Sequence, residues 1–439
     1  MSEVEQRTSF KAIASGAGIL TIAVLAANGG NYLLNLLLGR WLQPAEFADA
    51  NLIVTLMLLV TAIAVSLQLV SAKFTSKYDA TGAPEKARSL AIWLEKVSLI
   101  VGLGFAAILI IGAPFWADFF NSASAWPFVI LGLGMPFYLI QSVGRGLLQG
   151  RLSFIKLAIS FIAEMVIRLS IGLGLVIAGF GVSGATAGLT ASFIGTWLVV
   201  KTLMGPATSE EKASKPTLED LGEIKQYIAP VAVLLLGQII INNGDVLTVK
   251  RFFEPEQAGI YSAVALVGRA VFFLSWSAVT ALFPAVAQRQ EAGESADGLL
   301  KGGIAVVGGM CAVMTLGAWI GGDFFFKSVL GEGYADATPL LTKYAIATSM
   351  FAIANVVATH HLSSGRYRES WILLAGGIFQ TGLLLSLHSN MQQVVNDQLI
   401  AMGLLMIIVL VSSNKELQFS QKKIDKLNVN ITKPRELVS

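Results

Sequence analysis

Charge is scarce in this chain. Asp, Glu, Lys and Arg make up 13% of its 439 residues, against about 25% in soluble domains, and mean hydropathy is +0.68. An ordinary soluble protein of this length is excluded. Cysteine is nearly absent too: Cys311 stands alone in an apolar stretch, which excludes an intrachain disulfide framework and a cysteine-based metal centre. Only three histidines occur, two of them the adjacent His360 and His361. Neighbouring positions on a helix point in different directions, so no metal and no cofactor are expected. The sequence holds no G-x-x-x-x-G-K-S/T, which removes the P-loop reading. The glycine runs GGIAVVGG (302–309) and IGLGLVIAGFG (171–181) lie inside apolar segments, where small residues let helices pack closely or bend. The net charge of +3 says little, because the charges are spread unevenly, and no nucleic-acid partner is expected.

Long apolar runs, by contrast, are abundant. Windows able to cross a roughly 30 Å hydrocarbon core fall near 13–38, 50–70, 97–116, 126–147, 157–178 and 181–203. A second set falls near 227–248, 260–285, 302–325, 339–359, 371–387 and 398–412. The first run is too long for a signal-peptide core and reads as an uncleaved span. The expected fold class is therefore an all-α polytopic membrane protein of about twelve transmembrane helices.

Cations set the orientation. The even-numbered connections and the tail carry most of them, among them Lys73, Lys77, Lys86, Arg88, Arg145, Arg151, Arg366 and Lys422. The odd-numbered connections hold only Arg40, Lys250, Arg251 and Lys327. Basic residues mark the cytoplasmic side, so both termini are expected inside a cell (inner) membrane. Trp41, Trp116, Trp126 and Trp319 fall at expected outer ends, and Trp93 and Trp371 at inner ends, as interfacial anchors do.

One short loop is written twice. GRWLQPAEFADA (39–50) is echoed 211 residues later by KRFFEPEQAGIY (250–261), aligning Arg40 with Arg251, Pro44 with Pro255 and Asn31 with Asn242. Span 1 then overlies span 7, and span 2 overlies span 8. Six spans per copy is an even number, so the copies run the same way, as parallel repeats related by an axis along the membrane normal. The expected organisation is an N-terminal six-helix lobe (1–204), a charged cytoplasmic linker (205–226), a C-terminal six-helix lobe (227–412) and a basic cytoplasmic tail (413–439). Two such lobes around a central cavity suit alternating access. One chain with twelve spans completes the cleft, so a monomer suffices.

Charges inside the spans are the candidate functional residues. FIAEMVIRLS places Glu164 and Arg168 near the middle of the fifth span, where a charge costs at least about 2.5–3.5 kcal/mol unless paired or hydrated. Their i,i+4 spacing puts them on one helix face. Two readings stay open: a self-neutralising pair that lets the helix insert, or a hydrated site in which Glu164 takes up a proton and Arg168 holds a phosphate. Arg269 lies within the eighth span, which has no carboxylate. It must meet an acid from another helix, backbone carbonyls or an anionic ligand, and its planar fork suits phosphate. IINNGDVL sets Asn242, Asn243 and Asp245 at the outer part of span 7, and AANGGNYL sets Asn28 and Asn31 at the matching part of span 1. These amides serve either as glue between helices or as the lining of a polar cleft.

Three stretches then carry a family resemblance. LLLGRWLQPAEFADANLIVTLMLLV resembles the first loop and second span of the oligosaccharide flippase family, the polysaccharide-transporter branch of the multidrug/oligosaccharidyl-lipid/polysaccharide exporter superfamily. GDVLTVKRFFEPEQAGIYSAVALVGRAVFFLSWSAVTALFPAVA is similar to its seventh and eighth spans, ending in Phe283-Pro284, and FIAEMVIRLSIGLGLVIAGFGVSGATAG to its fifth and sixth. The resemblance implies two six-helix lobes and the flipping or export of polyprenyl-diphosphate-linked sugars for surface polysaccharide, not an enzyme. It makes Arg269 and Arg168 candidate head-group ligands and Glu164 and Asp245 candidates for proton or sodium coupling; Asn28, Asn31 and Asn242 are the substrate-binding candidates that line the cleft. The tail LQFSQKKIDKLNVNITKPRELVS suits docking of a polysaccharide-assembly protein or lying along anionic lipid. A multidrug exporter of the same superfamily is the nearest rival, weakened because span 1 carries no acid. A polymerase or ligase would need a large outer loop, and the longest here (326–338) has no assignable catalytic residue. A non-transporting scaffold is the remaining alternative.

Overall fold

The computed structural model describes residues 3–204, 218–291 and 297–432. No strand occurs among them. The first half contains α1 (Glu3–Trp41), α2 (Pro44–Ala80), α3 (Pro84–Ile111), the short α4 (Ala113–Phe119), α5 (Trp126–Gly150), α6 (Phe154–Leu175) and α7 (Gly181–Met204). The second contains α8 (Leu218–Phe252), α9 (Pro255–Glu291), α10 (Asp297–Phe325), α11 (Thr338–Ser363), α12 (Arg368–Ser386) and α13 (Met391–Thr432). Nine segments among the described residues are long and apolar enough to cross a membrane, one of them running through both α6 and α7.

The repeated loop is a helix break in both halves. α1 ends at Trp41 and α2 begins at Pro44; α8 ends at Phe252 and α9 begins at Pro255. Proline fits the first helical position because that N–H has no partner in the helix anyway. Gln43 and Glu46 add a reciprocal capping box at the start of α2.

Packing repeats with the sequence. In the first half α1 lies on α6, α2 on α5, α3 on α5, α5 on α7 and α6 on α7. In the second, α8 lies on α12, α9 on α11, α10 on α11, α11 on α13 and α12 on α13. Those are the same five pairings, one lobe for each half. Close approach is built from small residues: a Cβ on Gly146 would lie 2.4 Å from the Gln68 carbonyl oxygen and one on Gly150 2.4 Å from that of Ala72, so this G-x-x-x-G face lets α5 meet the backbone of α2.

Several expectations are corrected. Helices overrun the apolar windows: α2 has 37 residues, about 55 Å at 1.5 Å per residue, because its polar ends continue the helix beyond the hydrocarbon. Of the linker expected over 205–226, residues 205–217 lie outside those described, and α8 already starts at Leu218. The backbone of the expected tail continues α13 to Thr432, while 433–439 lie outside the described residues, as do the side chains from 414 onward and those of Phe283 and Pro284. The two glycine runs behave differently. In 171–181, Gly172 and Gly188 bring α6 and α7 together, and Gly179 (φ 91°) and Gly181 (φ 49°) make the break between them. In 302–309, nothing among the described residues stands within 4 Å of a Cβ built at Gly302, Gly308 or Gly309, while Gly303 is buried.

The lobes share a core at the end carrying the repeated loops. Leu38, Phe47 and Ala48 from the first lobe pack with Val249, Phe253 and Tyr334 from the second. The Phe47 and Tyr334 rings meet edge to face across the boundary, 6.1 Å between centroids. α8 also follows α2 toward the opposite end, where Lys77 and Glu223, both half-exposed, are 2.6 Å apart.

Candidate functional site: two buried charge clusters

Ser160, Glu164 and Arg168 recur every four residues and so form one stripe on α6. Into that stripe reaches Arg145 from α5. Its Nη2 lies 2.7 Å from Glu164 Oε2, its Nε donates to Ser160 Oγ at 3.0 Å and its Nη2 donates to the Ser160 carbonyl at 3.0 Å. Arg168 pairs with the second oxygen of Glu164. Its Nη1 donates to Asn31 Oδ1 on α1 at 2.8 Å, and its Nε donates to Ser192 Oγ on α7 at 3.2 Å. Phe161 and Phe193 stack near the two guanidiniums, 4.2 and 5.6 Å from their ring centroids. Arg145 and Arg168 are buried, and Glu164 is 14% exposed at its side chain.

Among the described residues, two cations thus face one anion. The cluster carries a formal excess of +1, held by four helices of the first lobe.

Arg145 was expected among the cytoplasmic cations of the inner connections. The structure corrects that: it lies inside α5, 6% exposed, and pairs with Glu164. The apolar context YLIQSVGRGLLQG is the signal that marks it, since a loop cation seldom sits among so many core residues.

Among the described residues the second cluster is neutral. Asp245 on α8 is fully buried, with Oδ1 3.0 Å from Arg269 Nη2 on α9. Asp245 Oδ2 accepts from Tyr344 at 2.8 Å and from Tyr261 at 3.1 Å. Arg269 Nε donates to the Tyr344 hydroxyl at 3.1 Å and Nη1 to Asn243 Oδ1 at 3.3 Å. The acid that Arg269 required from another helix is therefore Asp245, and the two tyrosines are partners that sequence spacing could not supply.

The asparagines divide. Asn31 enters the first cluster, but Asn28, one turn earlier on α1, is exposed. Asn242, the repeat counterpart of Asn31, donates to the Gln238 carbonyl of its own helix at 2.8 Å, while its neighbour Asn243 faces Arg269. Lys343 donates to Asn396 Oδ1 at 3.2 Å. Among the described residues no group of His, Cys, Asp and Glu could hold a metal ion. An apolar groove of about 490 Å³ between α10, α11 and α13, which includes Cys311 and Trp319, shares no residue with either cluster.

Two lobes of like-built helices, each with a cluster of charged side chains deep in its apolar interior, define a polytopic membrane protein built from a duplicated helical unit. The polysaccharide biosynthesis protein family model matches residues 37–339, well over half of the chain. The chain belongs to that family. Relatives include an uncharacterized protein of Mycobacterium bovis, 23% identical over 308 residues, and one of Mycobacterium tuberculosis, 24% identical; each match covers 68% of this chain and 68% of the relative. Among solved structures, an inward-facing multidrug resistance MATE family transporter of the MOP superfamily superposes with a TM-score of 0.77, at 13% identity, over 92% of this chain and 99% of its own. The outward-facing form of such a transporter gives 0.66 at 16% identity, over 93% and 96%. A MOP superfamily transporter from Pyrococcus furiosus, described as having a binding pocket of reversed polarity, gives 0.57 at 14% identity, over 92% and 95%. This chain has their fold.

Proposed function

We propose that this protein flips or exports a polyprenyl-diphosphate-linked oligosaccharide for surface polysaccharide synthesis, by alternating access between its two lobes. The observation that supports this most is the Arg145–Glu164–Arg168 cluster. An uncompensated positive charge in a membrane-embedded lobe is costly, and an anionic ligand is what offsets it. Guanidiniums hold carboxylate and phosphate oxygens with the same two-pronged geometry. Glu164 therefore occupies, in this conformation, the place that a substrate phosphate takes when the head group enters. Asn31 ties α1 to the same arginine, so exchange of carboxylate for phosphate is felt on a third helix.

This assignment ranks Arg168 and Arg145 ahead of Arg269 as head-group ligands. Arg145 and Arg168 share a single carboxylate, whereas Arg269 has Asp245 to itself. Of the two coupling candidates, Glu164 is poorly placed to take up a proton, because neutralising it leaves two guanidiniums facing each other. Asp245, fixed by one arginine and two tyrosines, remains the coupling candidate.

The test is mass spectrometry of lipids retained in mild detergent by the parent, by Arg168→Ala and by Glu164→Ala. A polyprenyl-diphosphate sugar in the parent, lost from Arg168→Ala and enriched in Glu164→Ala, is the expected result. A small amphipathic cation in place of that lipid would replace this reading with a drug exporter.

A further inference from the structure

Between the lobes, at the end where they share a core, lies an ion pair outside both clusters. Asp49 is in the second turn of α2; Lys250 is in the last turn of α8. Both are buried. Lys250 Nζ is 2.8 Å from Asp49 Oδ1 and donates to the Asn121 carbonyl at 3.0 Å. Asp49 Oδ2 accepts from the Ala123 N–H at 3.2 Å. The Asn121 amide donates to the Arg251 carbonyl at 3.1 Å, and the Arg251 guanidinium lies 4.6 Å from the Phe119 ring centroid. Asn121 has a φ of 49°, a left-handed turn that asparagine tolerates better than most residues.

Every one of these contacts, the Ala123 brace apart, crosses from one lobe to the other. The surrounding interface is apolar, and an interface meant to stay shut would be held at least as well by two apolar side chains, since desolvating a buried pair offsets most of its attraction. What an ion pair adds is reversibility: when the surfaces part, both ends rehydrate, whereas an apolar pair only loses contact.

We infer that Asp49–Lys250, braced by Asn121 and Ala123, is a latch that holds this end of the lobe interface closed and sets how often it opens. The inference rests on the two-lobed fold and not on the identity of the substrate, so it survives if the lipid assay above fails. Its logic also distinguishes single from double substitutions. Removing Lys250 strands a buried carboxylate that must reach water, and the lobes part. Replacing both partners with apolar residues removes the reason to part.

The experiment uses the full chain in lipid nanodiscs, which leave both faces open to reagent. Cys311→Ser removes the natural thiol, and Ala258→Cys places a reporter in the first turn of α9, where Ala258 is buried in the shared core. Labelling by a water-soluble maleimide is timed. The parent latch should label slowly; Lys250→Met should label more than about tenfold faster; Asp49→Leu with Lys250→Met should label no faster than the parent. Equal rates in the parent and Lys250→Met would overturn the latch. A double variant as fast as Lys250→Met would also overturn it, since the single change would then be acting through general damage to the interface.

Discussion

Gly259 on α9 lies directly against Pro44 on α2: a Cβ at Gly259 would sit 2.0 Å from the Pro44 carbonyl oxygen. The two copies of the repeated loop thus meet across the lobe boundary, and one of them must lack a side chain for them to do so. Gly259→Val should push the lobes apart at this end. The expected result is a melting temperature lowered by a cost of about 1–3 kcal/mol, measured by thermal unfolding in detergent. An unchanged melting temperature would mean that the helices separate without strain.

Arg269 and Asp245 illustrate a buried pair with every polar atom engaged. Arg269→Ala leaves Asp245 and the Tyr344 hydroxyl short of a partner in the lobe interior. A loss of about 3–5 kcal/mol is expected, large enough to reduce the folded yield on size-exclusion chromatography. Arg269→Ala with full yield and normal lipid retention would show that the tyrosines alone hold Asp245.

Burial separates two arginines near the same end of the first lobe. Arg145, buried against Glu164, should cost about 3–5 kcal/mol when changed to Ala. Arg151, whose Nε is 3.3 Å from Asp79 Oδ2 in an exposed pair, should cost less than about 1 kcal/mol. Parallel thermal melts read the difference; similar losses for both would contradict the burial argument.

Glu369, in the first turn of α12 ahead of its apolar stretch, gives a pH dependence. Burial alone would raise its pKa, but His361, with Nδ1 2.9 Å from Glu369 Oε2, and the Ser412 hydroxyl, donating to Oε1 at 2.8 Å, bring it below the ordinary carboxylate value. A carboxylate depressed in the folded state adds stability that is complete above the unfolded pKa of about 4.3 and is lost as pH falls through the folded value. The melting temperature of the parent should therefore fall below about pH 4.3, and Glu369→Gln should flatten that part of the profile. An identical slope in both would assign the acid sensitivity elsewhere.

Much of the fold was legible because a membrane leaves few choices. Backbone groups in hydrocarbon must bond within their own segment, so each apolar window of sufficient length reads as a helix, and the echo of Pro44 in Pro255 fixes the repeat to the residue. The spacing of Glu164 and Arg168 likewise showed that they could pair, since helical periodicity is local. The pairing of Arg145 with Glu164 is not legible, because the distance between them along the chain says nothing about the face of α5 that Arg145 occupies. The partner of Arg269 was illegible for a similar reason: the repeat points to Asn242, and the turn of about 100° between helical neighbours is what sets Asn243 against Arg269.

By itself, then, the sequence determined an apolar, helical, duplicated chain with charges buried in its spans, because composition and period act within single helices. Only the tertiary structure decided which charges meet: two arginines on Glu164, two tyrosines and Arg269 on Asp245, Lys250 on Asp49. Those partners come from different helices, and the Coulomb and hydrogen-bond energies that join them depend on ångström distances that no linear spacing encodes.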